Sequence, residues 1–276
     1  MPELPEVQTV CDDLIKSKII GSIIQSVIIK WPRIIHGLKP DEFANQIKGR
    51  KIIGVQRRGK YIHLLLNKNL HLFIHLRMTG KVNMVTPIEE PLIHEHVVLN
   101  LDKNRCLKYN DTRKFGRWNL TKDPNSVIGH LGVEPLTPEF NTEYLFLKTC
   151  ESKKIIKPFL LDQSNIAGVG NIYADEALFL AKIHPETVCA KISKIKIDAL
   201  QKAIKTVLKQ GIKNQGTTLG TGKTNFYSVA RKSGDNKEKL NVFRRDGEPC
   251  FVCQHIIQKL VVAQRGTHIC PHCQKI

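Results

Sequence analysis

No stretch of this chain approaches the roughly 20 apolar residues that a membrane-spanning helix needs, so a helical membrane protein is excluded from the expectation. No early apolar run has the pattern of a secretory signal, and there is neither an internal repeat nor a disordered basic tail. Acidic residues are scarce: 25 Asp and Glu stand against 43 Lys and Arg, a formal net charge of +18. Such a field favours polyanions, most often nucleic acid. The charges are spread along the chain, with a cluster at Lys48, Arg50, Lys51, Arg57, Arg58 and Lys60, which points to a folded basic surface. A ribosome-associated or merely soluble basic protein would carry the same charge. The 276 residues allow one to three domains, and 41% hydrophobic residues suffice for real cores. The expected location is the cytoplasm, at the nucleoid in a prokaryote.

Eight cysteines are present, and four have ligand spacing. Cys250 and Cys253 form one CxxC pair, Cys270 and Cys273 another, with sixteen residues between them. That is the four-thiolate zinc pattern, in which each tight turn supplies two ligands. A closed four-thiolate site leaves no place for water, so the expectation is one structural zinc. Two disulfides are the alternative, but nothing suggests secretion and cytosolic thiols stay reduced. Between the pairs, Ile256 to Arg265 reads as strand and Gly266-Thr267 as a turn, hence a metal-clipped hairpin. Cys11, Cys106, Cys150 and Cys189 lack such spacing, and all four are expected to behave as small buried hydrophobes.

Along the chain, Val7, Val10, Cys11 and Leu14 recur at helical spacing after Pro5. Residues 19 to about 120 then turn strand-like, as at Tyr61–Leu66, His71–Leu76 and Val97–Leu99, with one short helix at Asp41–Lys48 and a hairpin turn at Asp102-Lys103-Asn104. Several short strands with regular turns predict a sandwich or barrel. After Gly129 the pattern changes to helices at Thr142–Thr149, Lys154–Leu161, Ile172–Ala181 and Ser193–Lys213, the last with an apolar stripe of Leu200, Ile204, Val207 and Leu208. The class is α+β: a β domain, a helical domain and a zinc hairpin.

The first residues, Met1-Pro2-Glu3-Leu4-Pro5-Glu6, offer an unusual nucleophile. Pro2 is small enough that Met1 is normally clipped, which leaves a secondary amine at the chain end. An α-amino group has a pKa of about 7.7–8.0 against about 10.4 for Lys, so a useful fraction is neutral near pH 7. Attack on a sugar aldehyde carbon gives a Schiff base, here an iminium that remains a strong electron sink. Glu3 and Glu6 stand close enough to move protons. The bland alternative is that Pro2 and Pro5 only start a helix, with Pro5 in its first turn.

Two further segments join these: Asp111-Thr112-Arg113-Lys114-Phe115-Gly116, and Gly168-Val169-Gly170-Asn171-Ile172-Tyr173-Ala174-Asp175-Glu176-Ala177-Leu178. With the Pro-Glu-Leu-Pro-Glu-Val start and the four-cysteine finger, the chain resembles the formamidopyrimidine-DNA glycosylase (Fpg) family nearly end to end. The resemblance implies an N-terminal β-sandwich domain over 1–130 and a helix–two-turn–helix domain over 131–240. It adds a mobile lesion-capping loop at 216–239 and a zinc finger over 241–276. It further implies an enzyme that flips an oxidised purine out of duplex DNA, cleaves the glycosidic bond and nicks the strand by β,δ-elimination. By position, Pro2 matches the Schiff-base nucleophile, Glu3 its acid/base partner, Glu6 a supporting carboxylate and Lys60 the lysine that grips phosphate and assists elimination. Met78, Arg113 and Phe115 match the triad that fills the hole left by the flipped base. Lys157 and Asn171 match phosphate contacts, Arg265 the arginine beside the lesion, and His94 lies near a DNA contact. Phosphate contacts give affinity without sequence choice, and apolar wedges offset the cost of unstacking. The implied partner is damaged double-stranded DNA, bound by a monomer.

Gly216 to Gly222-Lys223-Thr224 imitates a nucleotide P-loop, but its first glycine is one residue too far and it follows a helix rather than a strand. His94-Glu95-His96 lacks zincin spacing, since position 98 is Val; as alternating strand residues the two histidines should share a face. Lys114 stands where the family often has a second arginine, which replaces a fork by a point charge. Gln8 replaces a common glutamate, and the 216–239 region is longer than usual. A relative acting on oxidised pyrimidines (the Nei branch) usually has glycine where Leu4 stands. A non-catalytic DNA-binding zinc protein is disfavoured by Pro2, Glu3, Lys60 and Arg265 occurring together.

Overall fold

Pro5 sits in the first turn of α1 (Leu4–Lys16), where its missing N–H costs nothing. Val7, Val10, Cys11 and Leu14, three to four residues apart, are all sealed from solvent along one face of that helix. The burial of Cys11 pushes its thiol up to about 12. The computed structural model describes residues 2–86, 90, 93–220, 222 and 225–275. Met1, Thr221, Lys223 and Thr224 lie outside the described residues, so Met1 removal and part of both the capping-loop and P-loop readings fall on undescribed positions. The chain divides into two compact units, one of residues 1–130 and 214–235, the other of residues 131–213 and 236–276.

In the first unit, β1 (Ile24–Ile29), β6 (Lys81–Val85), β7 (Glu95–Leu101) and β8 (Arg105–Asn110) make a four-stranded sheet in the order β1-β7-β8-β6. A five-stranded sheet runs β2-β9-β5-β4-β3, from β2 (Ile35–His36), β3 (Ile52–Arg58), β4 (Tyr61–Leu66), β5 (Leu70–His75) and β9 (Arg117–Thr121). All pairs are antiparallel except β2 with β9. Alternation sets the inner faces: Ile62, Leu64 and Leu66 of β4 and Leu72 and Ile74 of β5 share one buried core with Val97, Leu99 and Leu101 of β7. Phe43 and Ile47 of α2 (Pro40–Ile47) and the α1 stripe close that core, and Trp118 meets Phe43 and Tyr109 edge-on. Each such aliphatic or aromatic side chain contributes about 1.5–3 kcal/mol by leaving water. This is the expected sandwich. A short α3 (Asn125–Ile128) follows it.

The second unit contains α4 (Thr142–Cys150), α5 (Ile156–Leu161), α6 (Asn171–Leu180) and α7 (Lys194–Lys213). Asn141 caps α4 by accepting the Tyr144 N–H at 2.8 Å. Residues Ile172 to Phe179 of α6 are all buried, which makes it the central helix; α7 turns its Leu200, Ile204, Val207 and Leu208 stripe inward. The finger hairpin consists of β10 (Gln258–Val262) and β11 (Arg265–Ile269). Its turn is not at Gly266-Thr267 as the sequence suggested. It lies at Ala263-Gln264, both at positive φ, and Gly266 pairs with Val261 inside the ladder. One other expectation is corrected. Cys11, Cys106 and Cys189 are buried, but Cys150 ends α4 on its exposed side, away from the buried Leu145 and Thr149. Among the described residues, no helix is long and apolar enough to cross a membrane.

Candidate active site and metal centre

The start of α1 gathers three of the expected residues. Pro2 is buried immediately ahead of the helix, and Glu3 and Glu6 are only 2% and 1% exposed. Glu6 reaches back so that its Oε2 accepts the Glu3 N–H at 2.8 Å. Its Oε1 accepts the Thr217 N–H, also at 2.8 Å. One carboxylate thus ties the helix start to the root of the 214–235 segment. Gly216 is needed there twice over, by a φ of +85° and because a Cβ would stand 3.0 Å from both Glu6 and Phe226. Further along, the Lys81 ammonium lies 4.5 Å from the Tyr227 ring centre.

Lys60 sits in the β3–β4 turn after Gly59, which has φ +55° and whose carbonyl accepts from Arg57 at 3.2 Å. Arg57 is held from the other side by the Gln8 Oε1 at 2.9 Å, so the glutamine that departs from the family pattern acts as a neutral acceptor. Lys60 is buried. Its charge is felt by His75, which burial, then the Arg77, Lys60 and Arg117 charges, push down to about 3. The neutral His75 Nδ1 accepts the Arg77 N–H at 3.0 Å, which fixes the turn that presents Met78.

Met78 is half-buried on that turn, while Arg113, Lys114 and Phe115 are exposed on the loop after β8. Both segments hang on Asp111, which sequence reasoning assigned no role. Its fully buried carboxylate accepts from the Thr79 and Tyr109 hydroxyls and from the amides of Arg113, Phe115 and Gly116, the last three at 3.2, 2.9 and 2.8 Å. Burial first, and then the Asp111 charge, drive the Tyr109 phenol upward. The Arg113 N–H also donates to Thr79 Oγ1 at 3.1 Å, which stitches the two segments together. Phe115 is 50% exposed with the Arg113 guanidinium 4.6 Å from its ring centre, and the Lys114 ammonium stands over Trp31 at 4.1 Å. His94 is exposed at positive φ, and its carbonyl accepts the Asp111 N–H at 3.0 Å. The shared face expected for His94 and His96 is absent: β7 begins only at Glu95, and His96 is buried with Nε2 against the Asp111 carbonyl at 2.8 Å.

In the second unit, Lys157 is not on the surface. It is 0% exposed, with its ammonium 2.5 Å from Asp175 Oδ1, 2.7 Å from Thr267 Oγ1 and 3.2 Å from the Gly266 carbonyl. A direct phosphate contact is therefore corrected to an internal tie between α5, α6 and the finger hairpin. Asn171 opens α6 and donates from Nδ2 to the same Gly266 carbonyl at 2.9 Å. Asp175 also accepts the His268 N–H at 2.9 Å. Glu176 accepts the Val242 and Phe243 amides at 2.9 Å each, and burial nonetheless raises its carboxyl. Asp175 and Glu176 were visible in the sequence only as adjacent acids on a helix too apolar to leave them in water. Arg265 is exposed as the first residue of β11.

The four finger cysteines converge, with every Sγ within 4.8 Å of the others. Cys253 lies 3.3 Å from Cys270 and 3.5 Å from Cys273, close to the roughly 3.8 Å edge of a zinc tetrahedron with 2.3 Å bonds. The Val252 and Cys273 amides point at the Cys250 and Cys270 sulfurs, each at 3.4 Å, as thiolates require. The residues fit one structural zinc.

A sandwich entered through a buried Pro-Glu helix start, a glycine-rich approach to α6 and a four-thiolate hairpin define the class of helix–two-turn–helix zinc-finger proteins. Three family models match in order: the formamidopyrimidine-DNA glycosylase N-terminal domain over residues 1–118, its H2TH domain over 131–223, and the zinc finger found in FPG and IleRS over 247–276. Formamidopyrimidine-DNA glycosylases of Protochlamydia amoebophila and Herpetosiphon aurantiacus are 46% and 44% identical, with 99–100% of this chain and 100% of each relative aligned. A solved structure of a Lactococcus lactis Fpg variant with Fapy-dG containing DNA superposes with a TM-score of 0.93 at 36% identity, covering 100% of both chains. Another, of L. lactis Fpg with abasic-site DNA, gives 0.91 at 36%, over 99% and 100%. The chain belongs to the formamidopyrimidine-DNA glycosylase family.

Proposed function

We propose that this chain is a bifunctional DNA glycosylase and AP lyase of base excision repair that removes oxidised purines from duplex DNA. The observation that carries the reading is Pro2, buried at the head of α1 beside the buried Glu3 and Glu6, in a chain matched by all three family models. With Met1 removed, the Pro2 nitrogen attacks C1′ of the damaged nucleotide. The N–C1′ bond forms as the bond from C1′ to the base breaks, and the base departs with a proton. Glu3 protonates the sugar ring oxygen, which opens the ring to an iminium. Loss of a C2′ proton expels the 3′ phosphate, and a second elimination expels the 5′ phosphate. Lys60 and Arg265 grip the phosphates and assist their departure. Met78 and Phe115 fill the gap left by the flipped base, and Arg113 hydrogen-bonds the orphaned cytosine.

Lys114, His94 and Asn171 add DNA backbone contacts. The functional divisions are residues 1–130 for the chemistry, 131–240 for helix–two-turn–helix binding and 241–276 for the finger. Segment 216–239 caps the lesion, a reading supported by its Thr217 anchor on Glu6. Zinc on Cys250, Cys253, Cys270 and Cys273 supplies structure only, since a closed site has no place for substrate. The enzyme acts as a monomer on cytoplasmic, nucleoid DNA.

Borohydride trapping on duplexes carrying 8-oxoguanine or an abasic site tests this, with mass spectrometry to locate the adduct. A covalent product at Pro2 with both duplexes is expected. Trapping on the abasic duplex alone would move the base preference elsewhere; no adduct on either, with Met1 confirmed absent, would overturn the reading.

A further inference from the structure

The finger holds donors beyond its four thiolates. His255 stands two residues after Cys253, and His272 lies between Cys270 and Cys273, so each cysteine knuckle contributes one imidazole. The two rings are exposed and stacked, with centroids 4.3 Å apart and planes 11° from parallel. Ligand atoms of Cys253, His255 and His272 all lie within 4.8 Å of one another. The thiolate cluster is uneven in exposure: Cys250 and Cys270 are sealed, whereas Cys253 and Cys273 are half-buried. The imidazoles gather at one of the accessible sulfurs. His255 is steadied there by Nδ1, 3.2 Å from the Cys253 carbonyl.

Chain position carries each histidine to the thiolates, and stacking holds the two rings together beside Cys253. Imidazole with thiolate is the donor set of zinc and its neighbours, and it is foreign to calcium or magnesium. A thiolate keeps lone pairs after binding one ion, so it has capacity for a second. We propose that Cys253, His255 and His272 form a second, weaker site for a zinc-class divalent ion, with Cys253 shared between it and the structural site. Two features set its strength below that of the four-thiolate site. The parallel rings must swing apart before both lone pairs aim at one ion, and the exposed position leaves the remaining coordination to water, as in open zinc sites. The proposal is independent of the glycosylase chemistry.

The test is a metal count on the full-length protein. Protein holding one tight zinc is dialysed against stepped free Zn²⁺ and its total zinc measured, beside a His255→Ala/His272→Ala double variant. Expected is a second equivalent in the unsubstituted protein, filling at higher free zinc than the first, and a single equivalent in the variant. An unsubstituted protein that stops at one equivalent overturns the proposal. So does a second equivalent that persists in the variant. Loss of the first equivalent from the variant overturns it as well, because the histidines would then belong to the structural site.

Discussion

Asp111 is a buried carboxylate that shapes the loop carrying Arg113 and Phe115. It takes hydrogen bonds from Thr79, Tyr109 and three amides of the loop that presents Arg113 and Phe115, so the shape of the loop depends on its charge. Gly116 belongs to the same arrangement, since a Cβ there would stand 1.8 Å from the Tyr109 hydroxyl. Asp111→Asn turns an acceptor into an amide that faces donors. The expected loss is about 1–3 kcal/mol of stability, the cost of leaving buried donors unsatisfied, read from urea denaturation. If Arg113 and Phe115 hold the opened stack, excision of 8-oxoguanine should slow by about ten- to hundredfold, as for a misplaced positioning group. Abasic-site nicking, which needs no base extruded, should change much less. Equal slowing on both substrates would remove Asp111 from base extrusion. The motif was legible in the sequence, but the role of its aspartate was not. Thr79 is 32 residues away, and no local spacing signals that a loop acid is fully buried.

At the scale of elements, the finger hairpin and α6 share an interior built of charge. Lys157, Asp175, Thr267 and the Gly266 carbonyl form one buried set, and Asn171 closes it from the first turn of α6. Arg265 precedes Gly266 directly, so its backbone is positioned by this set. Lys157→Met keeps the length of the side chain and removes its charge, which leaves Asp175 buried without its cation. Breaking a buried pair in this way costs about 3–5 kcal/mol. The expected result is a less stable protein whose strand nicking falls with that of Arg265→Ala, although Lys157 has no surface to offer DNA. If Lys157→Met bound and nicked DNA normally at full stability, the internal tie would carry no weight. The helices themselves were legible because apolar residues recur at their period. Lys157 was carried over from the family match as a phosphate contact, and nothing local in the sequence shows its burial, since Asp175 lies 18 residues away. The hairpin turn was misplaced for a different reason: glycine signals a turn, yet Ala263 and Gln264 take the left-handed positions while Gly266 serves as strand.

For the molecule as a whole, the charge of +18 that suits a polyanion also opposes compactness, and protonation worsens that balance as pH falls. Two histidines sharpen the effect. His75 is pushed down to about 3, first by burial and then by three nearby cations. His63 is pushed down to about 4, by burial and then by the His71 charge. It stacks on Phe73, with centroids 4.2 Å apart. An unfolded histidine titrates near 6.5. Between that value and the native one, the unfolded chain therefore holds a proton that the native chain refuses. Stability is fully present above about pH 6.5 and is lost as pH falls toward 3, by about 1.4 kcal/mol per pH unit for His75. Denaturation midpoints should thus be level from pH 8 to 7 and fall below about 6.5. In His75→Asn, Oδ1 can replace Nδ1 as acceptor for the Arg77 N–H, so the turn beside Met78 is kept while one titration is removed. Its midpoint should fall less steeply over the acid range, and added salt, which screens surface repulsion, should leave the difference between the two slopes in place. A His75→Asn profile parallel to that of the unsubstituted protein would mean that the imidazole is protonated in the native fold, in conflict with its acceptor role at Arg77.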